Sequence, residues 1–575
     1  RDFGRGTPKS ERIMVEYSQP NTHKAFHVGH VRNAALGNAL GQILEFAGYQ
    51  VDFANYLGDI GLHVIKCLWC YLKFHKDKEP ASDKGKWLGQ VYAQADSLLA
   101  DADDYRADII KFLRHILLDP SVASEVQTDF KSLFFDSLSD SLSSQTQHTN
   151  DQQFVKDMEY IQSNVLTNNA IDINRLALRS AGDWIWQIWL MLGETLKSRS
   201  NFETRNIDLL NMYQKIGTDH EKWNYAREVR DLFAQWEKRD PDLIALWSKT
   251  REWSIEEFRR IYDILGTRFD FWFYESELEE PGREIVQELI EMGVAQDLRP
   301  TGPVIVKIDD ILGLQEETYR TIVILRADGT TLYSTKDLAL AKRKFEQFQI
   351  DRSIYVVDVS QSLYLQQIFK ILEIWGFENA VNCYHLAYEL VKLSSGKMSS
   401  RTGKVILFDE LLQEAVLRAK QIIGEKNDQD QTSKINLDEV AGEVAVGAIL
   451  YTMLDVEHNR PITFDWEQVL NFDGNTAPYI QYAYARTNSL LEKAKDWNGE
   501  FDYTGIQMTT EEIDLIEMIS RFPEVVEMAA QDYKPSRLTS YLHYLSRQFS
   551  RFYQRHTVLQ AEPRLRDARL GLVSA

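Results

Sequence analysis

The chain has 575 residues, 44% hydrophobic and 26% charged, with a formal charge of −21 and three cysteines. One compact core cannot serve so long a chain, so two to four domains are expected. The cysteine count excludes a disulfide scaffold and fits a reducing compartment such as the cytoplasm; no apolar run reaches the roughly 18 to 20 residues that span a bilayer; and the acidic balance argues against nonspecific DNA binding, although local basic patches can still hold RNA.

In chain order, the apolar run RIMVEYS at 12–18 is expected to be a strand, followed by a turn at Pro20 and Asn21. From Val31 to Tyr49 the residues Ala35, Leu36, Leu40, Ile43, Leu44 and Ala47 recur at helical spacing, and Gly48 is the stop. QVDFANYLGD at 50–59 reads as a second strand, so the chain opens as a parallel α/β sheet does. A long insertion of helical pattern follows, from about 62 to 265, with a Ser/Gln-rich tract at 137–153. In it His63, Cys67 and Cys70 share a helix face, but a structural zinc site wants four N/S ligands and no second pair stands nearby, so no metal is expected. The sheet then resumes. Asp328-Gly329 predicts a hairpin within 321–334, and the stretches 354–359, 362–377 and 383–391 predict a βαβ unit. Polar 425–436 reads as a linker, and only helical patterns are expected from Leu437 onward.

Two short stretches carry chemistry. In HVGH, 27–30, a helix N-terminus offers unpaired N–H groups and a partial positive charge, a natural phosphate site. Gly29 lets a flat base or a phosphate approach the backbone, and His27 and His30 can donate to phosphate oxygens as charge builds on them. A metal pair and a simple helix cap are the alternatives; the metal reading lacks a third ligand and the Glu of H-E-x-x-H. In GKMSSRTGKV, 396–405, six residues separate Gly396 from Gly403-Lys404, so this is no Walker A loop. Lys397, Arg401 and Lys404 on a flexible loop suit polyphosphate charge, or else form a solvated basic turn.

Taken in this order, HVGH after the first strand and KMSSR after the late βαβ unit resemble the two signatures of class I aminoacyl-tRNA synthetases. The stretches EYSQPNTHKAFHVGHVRN (16–33), QVDFANYLGDIG (50–61), FDFWFYES (269–276), DGTTLYSTKD (328–337) and FDGNTAPYIQYAYAR (472–486) narrow the resemblance to the arginyl-tRNA synthetases. It covers most of 12–107 and 223–571, with none found in about 108–222. The resemblance implies an α/β, Rossmann-type parallel-sheet catalytic domain in two halves, 1–75 and 265–424, split by a helical connective insertion at 76–264. An all-α anticodon-binding helix bundle would follow at 437–575, ending short of the family's longer helical closure. The implied activity is activation of L-arginine by ATP, with Mg2+ on the phosphates, and transfer of the arginyl group to the 3′ end of its tRNA. The implied partners are arginine, ATP and tRNA, with neither DNA nor membrane, and the chain is expected to work as a monomer. A catalytically impaired fragment or an RNA-binding relative is the alternative reading. A small-molecule nucleotidylyltransferase, which also carries H-x-G-H, is disfavoured by the 472–486 stretch and by the lysine–serine loop.

By the same resemblance, His27, His30, Lys24 and Lys397 would be catalytic, and Gly29 and Ser399 would join His27, His30 and Lys397 in binding ATP. Glu16, Asn21, Glu275, Tyr333, Asp337 and Gln361 would bind arginine, with Gln19 close by, and Tyr479, Tyr482 and Arg486 would bind tRNA. Physical chemistry agrees at several points. Tyr333 and Asp337 stand four apart and share a face if helical. A guanidinium with five N–H donors needs carboxylates in its plane, which Asp337 and Glu275 supply. The bland alternatives are strand packing for Tyr333, a surface pairing of Asp337 with Lys336 or Lys342, a solvated turn for Lys24, and core packing for Tyr482. Three positions depart from the family pattern: Tyr364 where many members have His, Gln19 where Ser is common, and Ser400 where most class I enzymes have a second lysine, whose charge Lys24 is thought to replace. Residues from about 108 to 222, a docking module or a foreign insert, are expected to be dispensable for arginine activation.

Overall fold

A computed structural model describes residues 3–118, 222, 224–393, 406–427, 436–469, 471 and 474–575. Most of the 108–222 segment, with the expectation attached to it, therefore lies outside the described residues, as does the whole KMSSR loop. The chain divides into two compact units, one of residues 1–61, 83–86 and 251–575, the other of 62–82 and 87–250.

The first unit is built on a parallel sheet. Its strands are β1 (Arg12–Glu16), β2 (Gln50–Leu57), β3 (Phe271–Tyr274), and, after a separate three-stranded antiparallel sheet of β4 (Gln296–Asp297), β5 (Val304–Lys307) and β6 (Thr321–Leu325), β7 (Arg352–Asp358) and β8 (Cys383–Tyr388). Their order across the sheet is β3-β2-β1-β7-β8, every pair parallel, with Val15 opposite Phe53 on one side and Ile354 on the other. β1 is central and covered on both faces, which is why its sequence is a continuous apolar run and not an alternation. The connection leaves β1 toward β2 on one side and returns at β7 on the other, so the crevice at the carboxyl ends of β1 and β7 is the topological switch point where such sheets bind ligands.

The first helix, Val28–Phe46, starts three residues before the periodicity indicated, because His27 caps it in extended conformation. It lies tight on the sheet: a Cβ at Gly37 would sit 2.1 Å from the Tyr17 ring. Gly48 ends it as expected, at φ +96. The hairpin expected at 321–334 is not formed. After the Asp328-Gly329 turn only Thr331 bridges back to Leu325, and the chain enters a helix, Tyr333–Phe348. The Ser334 hydroxyl donates to the Val323 carbonyl at 2.7 Å and the Thr335 hydroxyl to that of Ile324, so two side chains satisfy the edge of β6 where a second strand would have done so.

Two further strands, β9 (Val391–Leu393) and β10 (Ile462–Phe464), pair in parallel, so the region after Leu437 is not wholly helical. Helix Leu437–Asp455 packs through Ala445, Ala448 and Ile449 into a core shared with Val31, Ala34 and Ala35 of the first helix and Phe408, Leu411 and Ala415 of helix Phe408–Asn427. The helices beyond Ala477 build their own core around Leu490, Leu515, Phe549, Phe552 and Leu570.

The second unit is helical where described. Trp69, at the end of helix Leu62–Cys70, packs on Tyr225 (ring centroids 5.0 Å apart), and its indole N–H donates to Glu228 at 2.7 Å. His63, Cys67 and Cys70 are buried in the same helix. Among the described residues no helix is long and apolar enough to cross a membrane.

Candidate active site

The loop between β1 and the first helix forms one wall of the site and is held in an unusual backbone conformation. Ser18, Gln19 and His23 all have φ in the left-handed region, at 74, 46 and 66, where side chains other than glycine are disfavoured. Their backbone N–H groups are caught by side chains from elsewhere: Ser18 by Asn33 Oδ1 at 2.6 Å, Gln19 by Asn55 Oδ1 at 3.2 Å and His23 by Ser254 Oγ at 2.9 Å. Strain of this kind persists only where the surroundings over-determine the conformation. Here it turns the chain across the carboxyl end of β1.

Below that loop lies a cavity of about 360 Å3. Glu16, Asn21, Glu275, Tyr333, Asp337 and Gln361 all line it, together with Gln19. Residues from the ends of β1, β2, β3 and β7 and from two helices thus converge at one place. Gly58, at the end of β2, keeps the entrance open, since a Cβ there would lie 2.1 Å from Asn21 Oδ1 and 3.3 Å from Glu275 Oε1. Tyr333 is the first residue of its helix and 54% exposed, so strand packing does not describe it. It shares a face with Asp337.

The charges are arranged unequally. Glu16 is buried and paired with the fully buried Lys344, and its other oxygen accepts from Gln19 Nε2 at 2.8 Å. Glu275 is buried and accepts from Lys336 Nζ at 2.9 Å. Burial pushes its carboxyl up to about 7, and Lys336 opposes the shift. Asp337 accepts the Tyr364 hydroxyl at 2.5 Å and has no ion-pair partner among the described residues. Burial pushes its carboxyl up to about 6, against the Tyr364 hydrogen bond. Lys336 therefore belongs to Glu275, and Lys342 pairs with Glu346, which removes the surface pairing considered for Asp337. Three carboxylates less two ammonium groups leave one formal negative charge, and it resides on Asp337.

Sequence reasoning missed Lys344 and Tyr56, and left Tyr364 without a role. The spacing was visible for the lysines: Lys336, Leu340 and Lys344 stand four apart on one helix face. Tyr364 is the donor that holds the Asp337 carboxylate.

At the mouth of the first helix the His27 and His30 rings stack, 3.7 Å between centroids. His30 Nδ1 accepts from the His27 backbone N–H at 3.2 Å, which leaves the proton of the neutral ring on Nε2. Burial lowers the His27 pKa to about 4 and holds His30 well below its usual range, the Lys24 ammonium adding to both. At neutral pH both rings are uncharged N–H donors. A Cβ at Gly29 would come within 3.1 Å of the His27 ring, so the glycine also frees that imidazole. Lys397 and Ser399 lie outside the described residues. The segment just after their loop is tied to this corner, since Val28 N donates to Ile406 O at 3.1 Å and Phe408 N to Phe26 O at 2.9 Å.

Tyr479, Tyr482 and Arg486 lie on helix Ala477–Lys493. Tyr482 is 51% exposed and so not a core residue. The Arg486 guanidinium sits over its ring at 4.2 Å and over the Tyr553 ring at 5.1 Å. Tyr479 packs on His543, ring centroids 5.7 Å apart. Tyr553 comes from a different helix, Ser536–Arg555, which single-helix spacing cannot reach.

Comparison with known proteins places this geometry. The family "tRNA synthetases class I (R), catalytic domain" matches residues 2–156 and 162–466, and the DALR anticodon binding domain matches 480–575. The first match runs through most of 108–222, so that segment is not the family-less stretch the sequence suggested. The chain is 31% identical to an arginine–tRNA ligase of Bdellovibrio bacteriovorus, over 99% of its length and 77% of the relative's. It is 28% identical to that of Clostridium beijerinckii over the same shares. Among solved structures, the fold is similar to the arginyl-tRNA synthetase of Thermus thermophilus, with a TM-score of 0.62 at 22% identity over 99% of this chain and 80% of that one. It is also similar to that of Plasmodium falciparum, with a TM-score of 0.60 at 17% identity, covering 99% and 74%. The parallel sheet with its cavity and paired histidines, the helical C-terminal domain and the family matches agree, and the chain belongs to the class I arginyl-tRNA synthetases.

Proposed function

We propose that the 360 Å3 cavity receives the side chain of L-arginine and that the HVGH corner receives ATP, so that the chain forms arginyl-adenylate and passes the arginyl group to tRNA. The observation that carries this reading is Asp337, a carboxylate with no cationic partner among the described residues, in a cavity whose other two carboxylates are paired with lysines. A guanidinium supplies the missing cation and the planar set of N–H donors that Asp337 and Glu275 can accept. With the side chain held there, the arginine carboxylate attacks the α-phosphate in line, and pyrophosphate leaves as the P–O bond to the β-phosphate breaks. The terminal ribose hydroxyl of tRNA then attacks the acyl carbon and releases AMP. No protein nucleophile takes part; positioning and charge stabilisation carry both steps.

His27 and His30, as neutral donors, and Gly29 meet the phosphates, Lys24 adds positive charge beside them, and Lys397 and Ser399 are assigned to the pyrophosphate side. Mg2+ is assigned to the ATP phosphates, whose charge it would neutralise. Tyr482 and Arg486, with Tyr479, are assigned to unpaired bases of the anticodon, which aromatic rings stack and arginine pairs. One chain carries every residue named here, and we read the active form as a monomer.

The arginine reading is tested by ligand-induced thermal stabilisation. Arginine is expected to raise the midpoint, and citrulline, of the same shape without the charge, to leave it unchanged. The pH dependence has a definite sign. Asp337 and Glu275 accept the guanidinium fully only when ionised, and burial raises them to about 6 and about 7, so arginine KM is expected to be flat above about pH 8 and to rise as pH falls through 7 and 6, by about tenfold per unit or more below about pH 6. Equal stabilisation by both ligands, or a KM independent of pH between 5 and 7, would contradict the assignment. A second expectation concerns Lys24. Lys24→Ala is expected to lower the ATP–pyrophosphate exchange rate by roughly tenfold or more with little change in arginine KM, because the ammonium meets charge that develops on the phosphates.

A further inference from the structure

Two tyrosine hydroxyls of the cavity wall, those of Tyr56 and Tyr355, have no hydrogen-bond partner among the described residues. Tyr56 stands near the end of β2, opposite Phe273 of β3, and its ring lines the cavity. Its hydroxyl is buried and has no hydrogen-bond partner among the described residues. Burying an unpaired hydroxyl is unfavourable, so its persistence calls for something that pairs with it. Burial, with the charges of Asp337, Glu275 and Glu16 adding to it, keeps the phenol protonated well above its ordinary range.

The cavity's acceptors are fewer than its carboxylates suggest. Both oxygens of Glu16 are engaged, by Gln19 and by Lys344. Glu275 Oε2 is held by Lys336 and Asp337 Oδ2 by Tyr364. Among the carboxylate oxygens of these three residues, those left open are Asp337 Oδ1 and Glu275 Oε1, while a guanidinium brings five N–H donors. Tyr355 also has an unpartnered hydroxyl, but the Lys344 ammonium lies 3.8 Å over its ring, which puts it on the side of the internal Glu16–Lys344 pair.

We propose that Tyr56 is a specificity-determining residue of the arginine site, its hydroxyl oxygen accepting a guanidinium N–H that the two open carboxylate oxygens leave over. The hydroxyl has no partner within hydrogen-bond distance among the described residues, and the guanidinium supplies one. This rests on the assignment of the cavity to arginine.

The test is Tyr56→Phe, which removes one oxygen and keeps the ring. Its ligand-free thermal midpoint is expected to equal or exceed the parent's, because no hydrogen bond of the free protein is lost. Arginine KM is expected to rise roughly tenfold or more, as for a lost hydrogen bond to a charged group, with ATP KM within about twofold, and the arginine-induced thermal shift is expected to shrink. An unchanged arginine KM, or a ligand-free midpoint that falls along with arginine affinity, overturns the proposal; the second outcome would mark a structural role. Asp337→Asn measured in parallel separates the two levels. If it weakens arginine and Tyr56→Phe does not, the role of Tyr56 alone fails; if neither variant changes arginine KM, the cavity itself is misassigned.

Discussion

Asp337→Asn is expected to fold normally and to lose about 2 to 5 kcal/mol of arginine recognition, the usual effect of removing one partner of a buried hydrogen-bonded charge pair. The reasoning is local. Asn keeps the shape and can still accept the Tyr364 hydroxyl that Asp337 accepts at 2.5 Å, so the wall of the cavity persists. What disappears is the one cavity carboxylate that no lysine among the described residues pairs with. The loss should fall on kcat/KM for arginine and leave ATP KM nearly unchanged. Steady-state exchange kinetics of the variant check it, and kinetics for arginine close to the parent's would remove Asp337 from the guanidinium site.

Lys344→Met is expected to destabilise the protein by about 3 to 5 kcal/mol, because it leaves the Glu16 carboxylate buried without its cation. Lys344 is completely buried and Glu16 nearly so, which means that solvent screens neither charge. The remaining partners cannot replace the ammonium: Gln19 Nε2 is neutral, and Ser353 Oγ, 3.4 Å from Lys344 Nζ, served the lysine itself. Urea unfolding followed by far-ultraviolet circular dichroism measures the loss. The double variant Glu16→Gln with Lys344→Met should recover much of it, since the orphaned charge is then gone. A single variant as stable as the parent, or a double variant no more stable than the single, would show that the pair is not the source of the effect.

How far the sequence reveals this molecule depends on whether a feature is local. The run at 12–16 and the helix ending at Gly48 follow from apolar spacing and one positive-φ glycine, and both were legible. The residues after Asp328-Gly329 read as a strand because Thr331, Tyr333 and Thr335 favour one. Tertiary contacts decided otherwise, with the hydroxyls of Ser334 and Thr335 taking the carbonyls that a partner strand would have used. The six residues proposed to bind arginine were named through resemblance, and no spacing rule would have gathered them, with the other side chains that line the cavity, around one place. The inequality among its carboxylates was invisible for the same reason. Glu16 and Lys344 are far apart in the chain, as are Glu275 and Lys336, and only the folded sheet shows that each pair is closed while Asp337 is open. Tyr364 and Tyr553 were likewise given their roles by neighbours distant in sequence.

The most direct test of the whole account is ATP–pyrophosphate exchange on the parent chain, run in the presence of tRNA with each amino acid in turn. Exchange is expected with arginine and only background with lysine and citrulline, because the open oxygens of Asp337 and Glu275 suit the several N–H donors of a charged guanidinium. Exchange that is absent with arginine, or equal with lysine, would contradict it.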